Sequence, residues 1–167
     1  MYSLNVPVPG EVKRFAAKLY PRLTGFERVR ERHSLVVKRF ETEDRHRLSK
    51  RVRRALADVP AFEMRTTGID SFDDPVRGPG PVVYFAVESP ELFDLHERLT
   101  ERFGAIADLE GPEYTPHITL ARDGSPEEVH RLRALDSHPI EWTVSALVVY
   151  DADREEPVDT VSLPASR

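Results

Sequence analysis

The chain contains no cysteine, which rules out a disulfide frame, a thiolate nucleophile and a zinc–thiolate site. It has no apolar run approaching the roughly 18–20 residues of a membrane span. Its opening, MYSLNVPVPG, lacks the charged region, apolar stretch and cleavage site of a secretory signal. A cytoplasmic location without membrane attachment is the expectation. Lysine is scarce, confined to Lys13, Lys18, Lys38 and Lys50, so arginine carries most of the positive charge. An excess of positive charge is also missing. A net charge of −5 argues against the broad basic surface that holds nucleic acid non-specifically, while leaving room for a nucleotide or an RNA end held by a few local cations. There is no Gly-rich phosphate loop, no G-x-S-x-G elbow, and no histidine or carboxylate spacing that suggests a metal site. No metal and no cofactor are expected.

What is present is a patterned chain of 167 residues, enough for one compact domain or two small lobes sharing a core. Residues 2–8 alternate as a strand, and Pro9-Gly10 ends it. Val12, Phe15, Ala16 and Leu19 mark one face of a helix. The valine-rich run from His33 to Phe40 reads as a buried strand. A helix from Glu43 to Val59 follows, with Leu48, Val52, Ala55, Leu56 and Val59 on its apolar face and Thr42 as N-cap. Its opposite face carries most of RHRLSKRVRR, which reads as a solvated surface. Two strands, Phe62 to Phe72 and Pro81 to Glu88, flank the turn-rich loop DDPVRGPG. The order then repeats: a helix over PELFDLHERLTERF, the strand HITLAR, a short helix capped by Ser125, and strands over Trp142 to Tyr150 and Val158 to Leu163. The pattern predicts an α+β fold of two pseudo-symmetric lobes, about 1–80 and 81–167, with room for strand exchange between them.

Each half places a histidine at the head of an apolar run, His33 in RHSLVVKRF and His117 in PHITLAR. On a strand, His117 and Thr119 share a face and stand about 7 Å apart, at a rise of ~3.3 Å per residue. An imidazole titrates near neutrality and can move a proton, while a hydroxyl donates to a phosphoryl oxygen. In the first half the hydroxyl, Ser34, stands one position early, and Leu35 shares the face of His33. Lys38, Tyr114 and Arg122 are further candidates for substrate contact: two cations for a phosphate and a ring for a base. His46, His96, His130 and His138 read as non-catalytic residues on helix surfaces or in turns.

These paired histidine strands resemble the 2H phosphoesterase superfamily, in its RNA 2',5'-ligase-like and 2',3'-cyclic phosphodiesterase branch. PHITLAR is close to the second His-x-Thr/Ser motif of that family, and RHSLVVKRF is a degenerate version of the first. FEMRTTGIDSF, VVYFAVESPELFDLHERL and WTVSALVVYDADREEPVDTVSLP extend the resemblance along nearly the whole chain. The resemblance implies a bilobal fold with a central cleft and metal-independent hydrolysis of a 2',3'-cyclic phosphate, with reversible 2',5' ligation as a minor activity. Its substrate would be an RNA end or small nucleotide, and the protein a monomer. His117 as base and His33 as acid are implied, with the reverse assignment scarcely distinguishable, and Thr119 would steady the phosphoryl oxygens. Ser34, Lys38, Tyr114 and Arg122 would bind substrate. The alternative is a nucleotide- or RNA-end-binding module on the same fold, its chemistry impaired because Leu35 stands where a Thr/Ser belongs.

Overall fold

In a computed structural model that describes residues 1–42 and 44–165, the β-branched and aromatic runs form two antiparallel sheets. The first sheet has the order β3 (Leu35–Phe40), β1 (Tyr2–Val6), β8 (Ala146–Asp151), β9 (Glu156–Ser162). The second has the order β2 (Arg28–Val29), β6 (His117–Arg122), β5 (Val82–Glu88), β4 (Phe62–Phe72), β7 (Glu141–Val144). Helices α1 (Gly10–Leu19), α2 (Arg45–Leu56), α3 (Pro90–Phe103) and α4 (Pro126–Arg133) connect them. This is the expected α+β fold of two antiparallel sheets. Among the described residues, no helix is long and apolar enough to cross a membrane.

The two sheets repeat one plan. Order β3-β1-β8-β9 matches β6-β5-β4-β7 when β1 is laid on β5 and β3 on β6. In each half, strand, helix, strand and helix are followed by a strand that crosses into the other sheet: β4 joins β5 after α2, and β8 joins β1 after the intervening β7. The helices follow the exchange. Phe15 of α1 stacks on Phe85 of β5 with ring centroids 5.2 Å apart, while α3 packs on β3. Burial of the α2 stripe, Leu48, Val52, Ala55 and Leu56, against the first sheet leaves its arginines outside, where Arg53 pairs with Asp159 of β9 at 2.5 Å.

Local chemistry accounts for most boundaries. Ser125 builds a full capping box with Glu128 at the head of α4. At α2 the cap is Asp44, not Thr42: its Oδ1 accepts the Arg47 N–H at 3.0 Å. The expected start of that helix, Glu43, lies outside the described residues. The single strand expected over Trp142 to Tyr150 is two, because the chain passes from one sheet to the other at Ser145. An unbroken alternation carries no sign of such a passage. The strand β2 was also not expected; two residues are too few to show a period.

Candidate active site

The site rests on a matched pair of β-bulges. On β6, Thr119 faces Tyr84 and Ala121 faces Val83, so Leu120 is the extra residue. On β3, Val36 faces Asn5 and Lys38 faces Leu4, so Val37 is the extra residue. The bulges align the two motifs through the pairing itself. Val36 corresponds to Thr119, Arg39 to Arg122, and Ser34 to His117. His33 therefore stands one residue ahead of the corresponding slot, in the place of Pro116, and outside β3. The expected departure at Leu35 is corrected: Leu35 corresponds to buried Ile118, is itself 0% exposed, and points away from the cleft. What departs is the slot, which holds Ser34 where the second lobe has histidine, and Val36 where it has threonine.

His117 is fixed in one useful state. Its Nδ1 lies 2.7 Å from the Thr115 carbonyl oxygen. A carbonyl only accepts, so Nδ1 carries the proton and Nε2 keeps its lone pair. The rings of Phe72 and Tyr84 stand edge-on to the imidazole, with centroids at 5.0 and 5.3 Å. Burial holds the His117 pKa below its ordinary value. The Thr115 hydrogen bond opposes that shift, and the charges of Arg39, Arg122 and Arg30 add to it. The His33 pKa is also lowered, by burial and then by Lys13 and Arg30. Arg30 thus acts on both histidines. The two motif strands run side by side where the sheets meet, and the Arg30 N–H donates to the Leu120 carbonyl at 2.9 Å.

Around them lies positive charge. Arg39 is held below its ordinary pKa first by burial, then by Arg77 and Arg30, with Glu110 and Tyr114 opposing; Arg122 first by burial, then by Arg30 and Arg28. Among the described residues, none of Arg30, Arg39 and Arg122 forms an ion pair. Arg122 Nη1 donates to the Arg77 carbonyl at 2.8 Å, packed against Gly78, whose φ of +75° and missing Cβ make room for the guanidinium. Its buried Nε has no partner among the described residues. In a chain of net charge −5, half-buried Arg39 and Arg122 with exposed Arg30 form a local patch of positive charge that suits an anion.

A cavity of about 1030 Å³ opens over the first sheet. Asn5, Val36, Val148 and Tyr150 contribute to it from the sheet, and His33, Ser34, Arg30 and Arg39 also line it. The Asn5 Oδ1 is buried there without a hydrogen-bond partner among the described residues.

Two expected substrate contacts are elsewhere. Lys38 is 1% exposed, and its Nζ donates to Glu110 at 2.5 Å, because the bulge turns it into the core. Tyr114 donates its hydroxyl to the Val36 carbonyl at 2.9 Å and stacks on His96 at a centroid distance of 3.7 Å, so it packs and braces β3. Arg30, Arg39, Glu110 and Asn5 were missed. His96 was misplaced on a helix surface, although it sits in the stripe of Leu92, Leu95 and Leu99, and it is 2% exposed.

A family model described as the 2'-5' RNA ligase superfamily matches residues 11–156. Among solved structures, TT0787 of Thermus thermophilus is similar at 21% identity and a TM-score of 0.65, with 99% of each chain covered. LigT of E. coli, solved in complex with 3'-AMP, is similar at 19% identity and a TM-score of 0.63, with 97% of each chain covered. A structure described as a phosphoesterase is similar at 17% identity and a TM-score of 0.62, covering 98% of this chain and 97% of its own. No curated protein matches the sequence. With two matching sheets, a histidine strand in PHITLAR and a family model spanning most of its length, the chain belongs to the 2'-5' RNA ligase superfamily, the 2H phosphoesterases.

Proposed function

We propose that the protein hydrolyses 2',3'-cyclic phosphates at RNA ends or on nucleotides, without a metal ion, using His117 as general base. The observation that carries this reading is the His117 imidazole, its Nδ1 bonded to the Thr115 carbonyl so that Nε2 is left to take a proton, perturbed by arginines that form no ion pair among the described residues. The arginines and Thr119 hold the phosphoryl oxygens and the charge that develops on them. The Nε2 of His117 takes a proton from water as the water oxygen bonds to phosphorus. The bond from phosphorus to one ribose oxygen breaks, and that oxygen receives a proton from His33. A phosphate monoester and a free hydroxyl result. Reversal of the same steps, with a ribose hydroxyl in place of water, gives ligation. The nucleoside occupies the cavity over the first sheet, where Tyr150 and Val148 offer apolar surface and Asn5 a polar edge. A nucleotide ligand is supported by the complex of the E. coli relative with 3'-AMP.

Both histidines are held below their ordinary pKa in the free protein, His33 by burial and then by the cations Lys13 and Arg30. An arriving phosphate offsets the Lys13 and Arg30 contribution to the His33 shift, which favours the protonated form that the acid needs. The test is product analysis on 2',3'-cyclic AMP in excess chelator. A single phosphate monoester is expected, and loss of turnover on adding chelator overturns the metal-free step. The second reading, a module that binds nucleotides or RNA ends without turnover, is favoured by one observation: Ser34 and Val36 occupy the slots that hold His117 and Thr119 in the other lobe. Saturable binding with no product from wild type would select it.

A further inference from the structure

The connection from α3 to β6, residues 104–116, reaches across to the bulged stretch of β3 with a set of buried polar bonds. Glu110 is 4% exposed. Its Oε1 accepts from Lys38 Nζ at 2.5 Å and from the Ile106 N–H at 3.0 Å, and its Oε2 accepts from the Arg39 N–H at 2.8 Å. The Lys38 ammonium also donates to the Arg39 carbonyl at 2.6 Å. His96 uses both ring nitrogens. Its Nδ1, 2.7 Å from the Val37 carbonyl, donates, and its Nε2 accepts from the Gly111 N–H at 2.9 Å. Tyr114 donates to the Val36 carbonyl. Each residue from 36 to 39 is therefore held by a side chain from α3 or the connection after it.

A bulge interrupts the ladder and leaves backbone groups that need partners. A buried ion pair is not the cheapest way to supply them, since both ions lose their hydration, and apolar groups of like volume often fold as stably. What this arrangement fixes is direction. Plain alternation from Ser34 through Val36 would present Lys38 to the cavity. With Val37 bulged, Lys38 turns inward and Arg39 lines the cavity. We propose that Glu110, together with Lys38 and His96, is a positioning clamp that locks the β3 bulge and so holds the Arg39 guanidinium in the anion seat beside His117. The clamp rests on the proposed function only in its activity readout; the position of Arg39 can be read without turnover.

The test uses the full chain carrying Lys38→Met with Glu110→Gln, which removes both buried charges together and avoids stranding one. Tyr114→Phe, which deletes one hydroxyl and leaves the ion pair, is the milder companion and stays informative should the pair variant fail to fold. Three readouts are taken on folded protein: affinity for inorganic phosphate, KM and kcat on 2',3'-cyclic AMP, and the NMR titration of His117. The clamp predicts weaker phosphate binding and a KM raised more than kcat falls, by up to ~10²-fold for a misplaced group. It also predicts an upward move of the His117 titration as the Arg39 charge withdraws. Tyr114→Phe shifts all three the same way by less. Arg39→Ala reproduces the changes, and combining it with the pair variant adds little, because both act through one guanidinium. Unchanged phosphate affinity and an unmoved His117 titration in folded variants overturn the clamp, as does full additivity with Arg39→Ala. If wild type binds phosphate without turning over cyclic AMP, the proposed chemistry fails, while the phosphate and NMR readouts still decide the clamp.

Discussion

The two motif strands differ in what they carry more than in how they are built. β3 and β6 lie beside corresponding strands, β1 and β5, and share the same one-residue bulge and an arginine two places beyond it, Arg39 and Arg122, although β3 is a sheet edge and β6 is not. They are braced by different means. At β6 the support is backbone, with β2 pairing Arg28 to Arg122 and Val29 to Ala121. At β3 it is side chain, the buried carboxylate of Glu110 and the imidazole of His96. β6 carries His117 and Thr119, both half-buried, whereas Val36 of β3 and the preceding Ser34 line a large cavity. A repeated scaffold can thus divide its labour. In the proposed reaction the second lobe supplies the base His117 and the hydroxyl of Thr119, and the first supplies the acid His33 and the cavity that holds the nucleoside.

If the lobes are unequal in this way, substitutions at matching places should have unequal effects. The largest is expected at His117→Ala, which should lower kcat on 2',3'-cyclic AMP by about 10²–10⁴, the share of a well-placed acid or base. His33→Ala should cost less, about 10²-fold, the low end for a general acid, because its imidazole stands outside the matched slot. Equal losses would remove the asymmetry. Ser34→His fills that slot directly and should raise turnover by about tenfold, a fraction of what a placed acid supplies; an unchanged or lower rate would show that slot correspondence does not govern the chemistry. Leu35→Thr should leave turnover without gain and cost about 1–3 kcal/mol in denaturant unfolding, since its hydroxyl is buried with the 0% exposed Leu35 side chain. A gain in rate there would restore Leu35 as the missing motif residue. The smallest effect is on stability against pH. His33, His96 and His117 all have pKa values lowered chiefly by burial, so the folded state prefers them neutral. That contribution is complete above their ordinary value near 6.5 and is lost as pH falls through the lowered folded values. Thermal melts taken downward from pH 7 should show it, and flat melts would contradict it.

Much of this arrangement was legible in the residues. The helical stripes, the strand HITLAR and the pairing of His117 with Thr119 follow from periodicity alone. The exchange of third strands between sheets was allowed for, but the break at Ser145 that carries it out leaves no mark in an alternating run. The bulges mattered most and were least visible. A bulge is one extra residue against a partner strand, and a sequence read alone has no partner strand. That is why Ser34, one place from His33, was paired with the wrong slot. Lys38, opposite His33 by alternation, could reach a phosphate only if the strand twisted or ended there, and the bulge turns it into the core instead. Glu110 gave no signal either. It lies in a polar connection, and its value comes from groups 71 and 72 residues away.

The central claim, an anion seat of arginines around a neutral His117, is tested most directly by the NMR titration of the six histidines with and without inorganic phosphate. The account predicts that His117 titrates below its ordinary value in free protein, moves upward on saturation, and moves further than His33. A His117 titration indifferent to phosphate would contradict it.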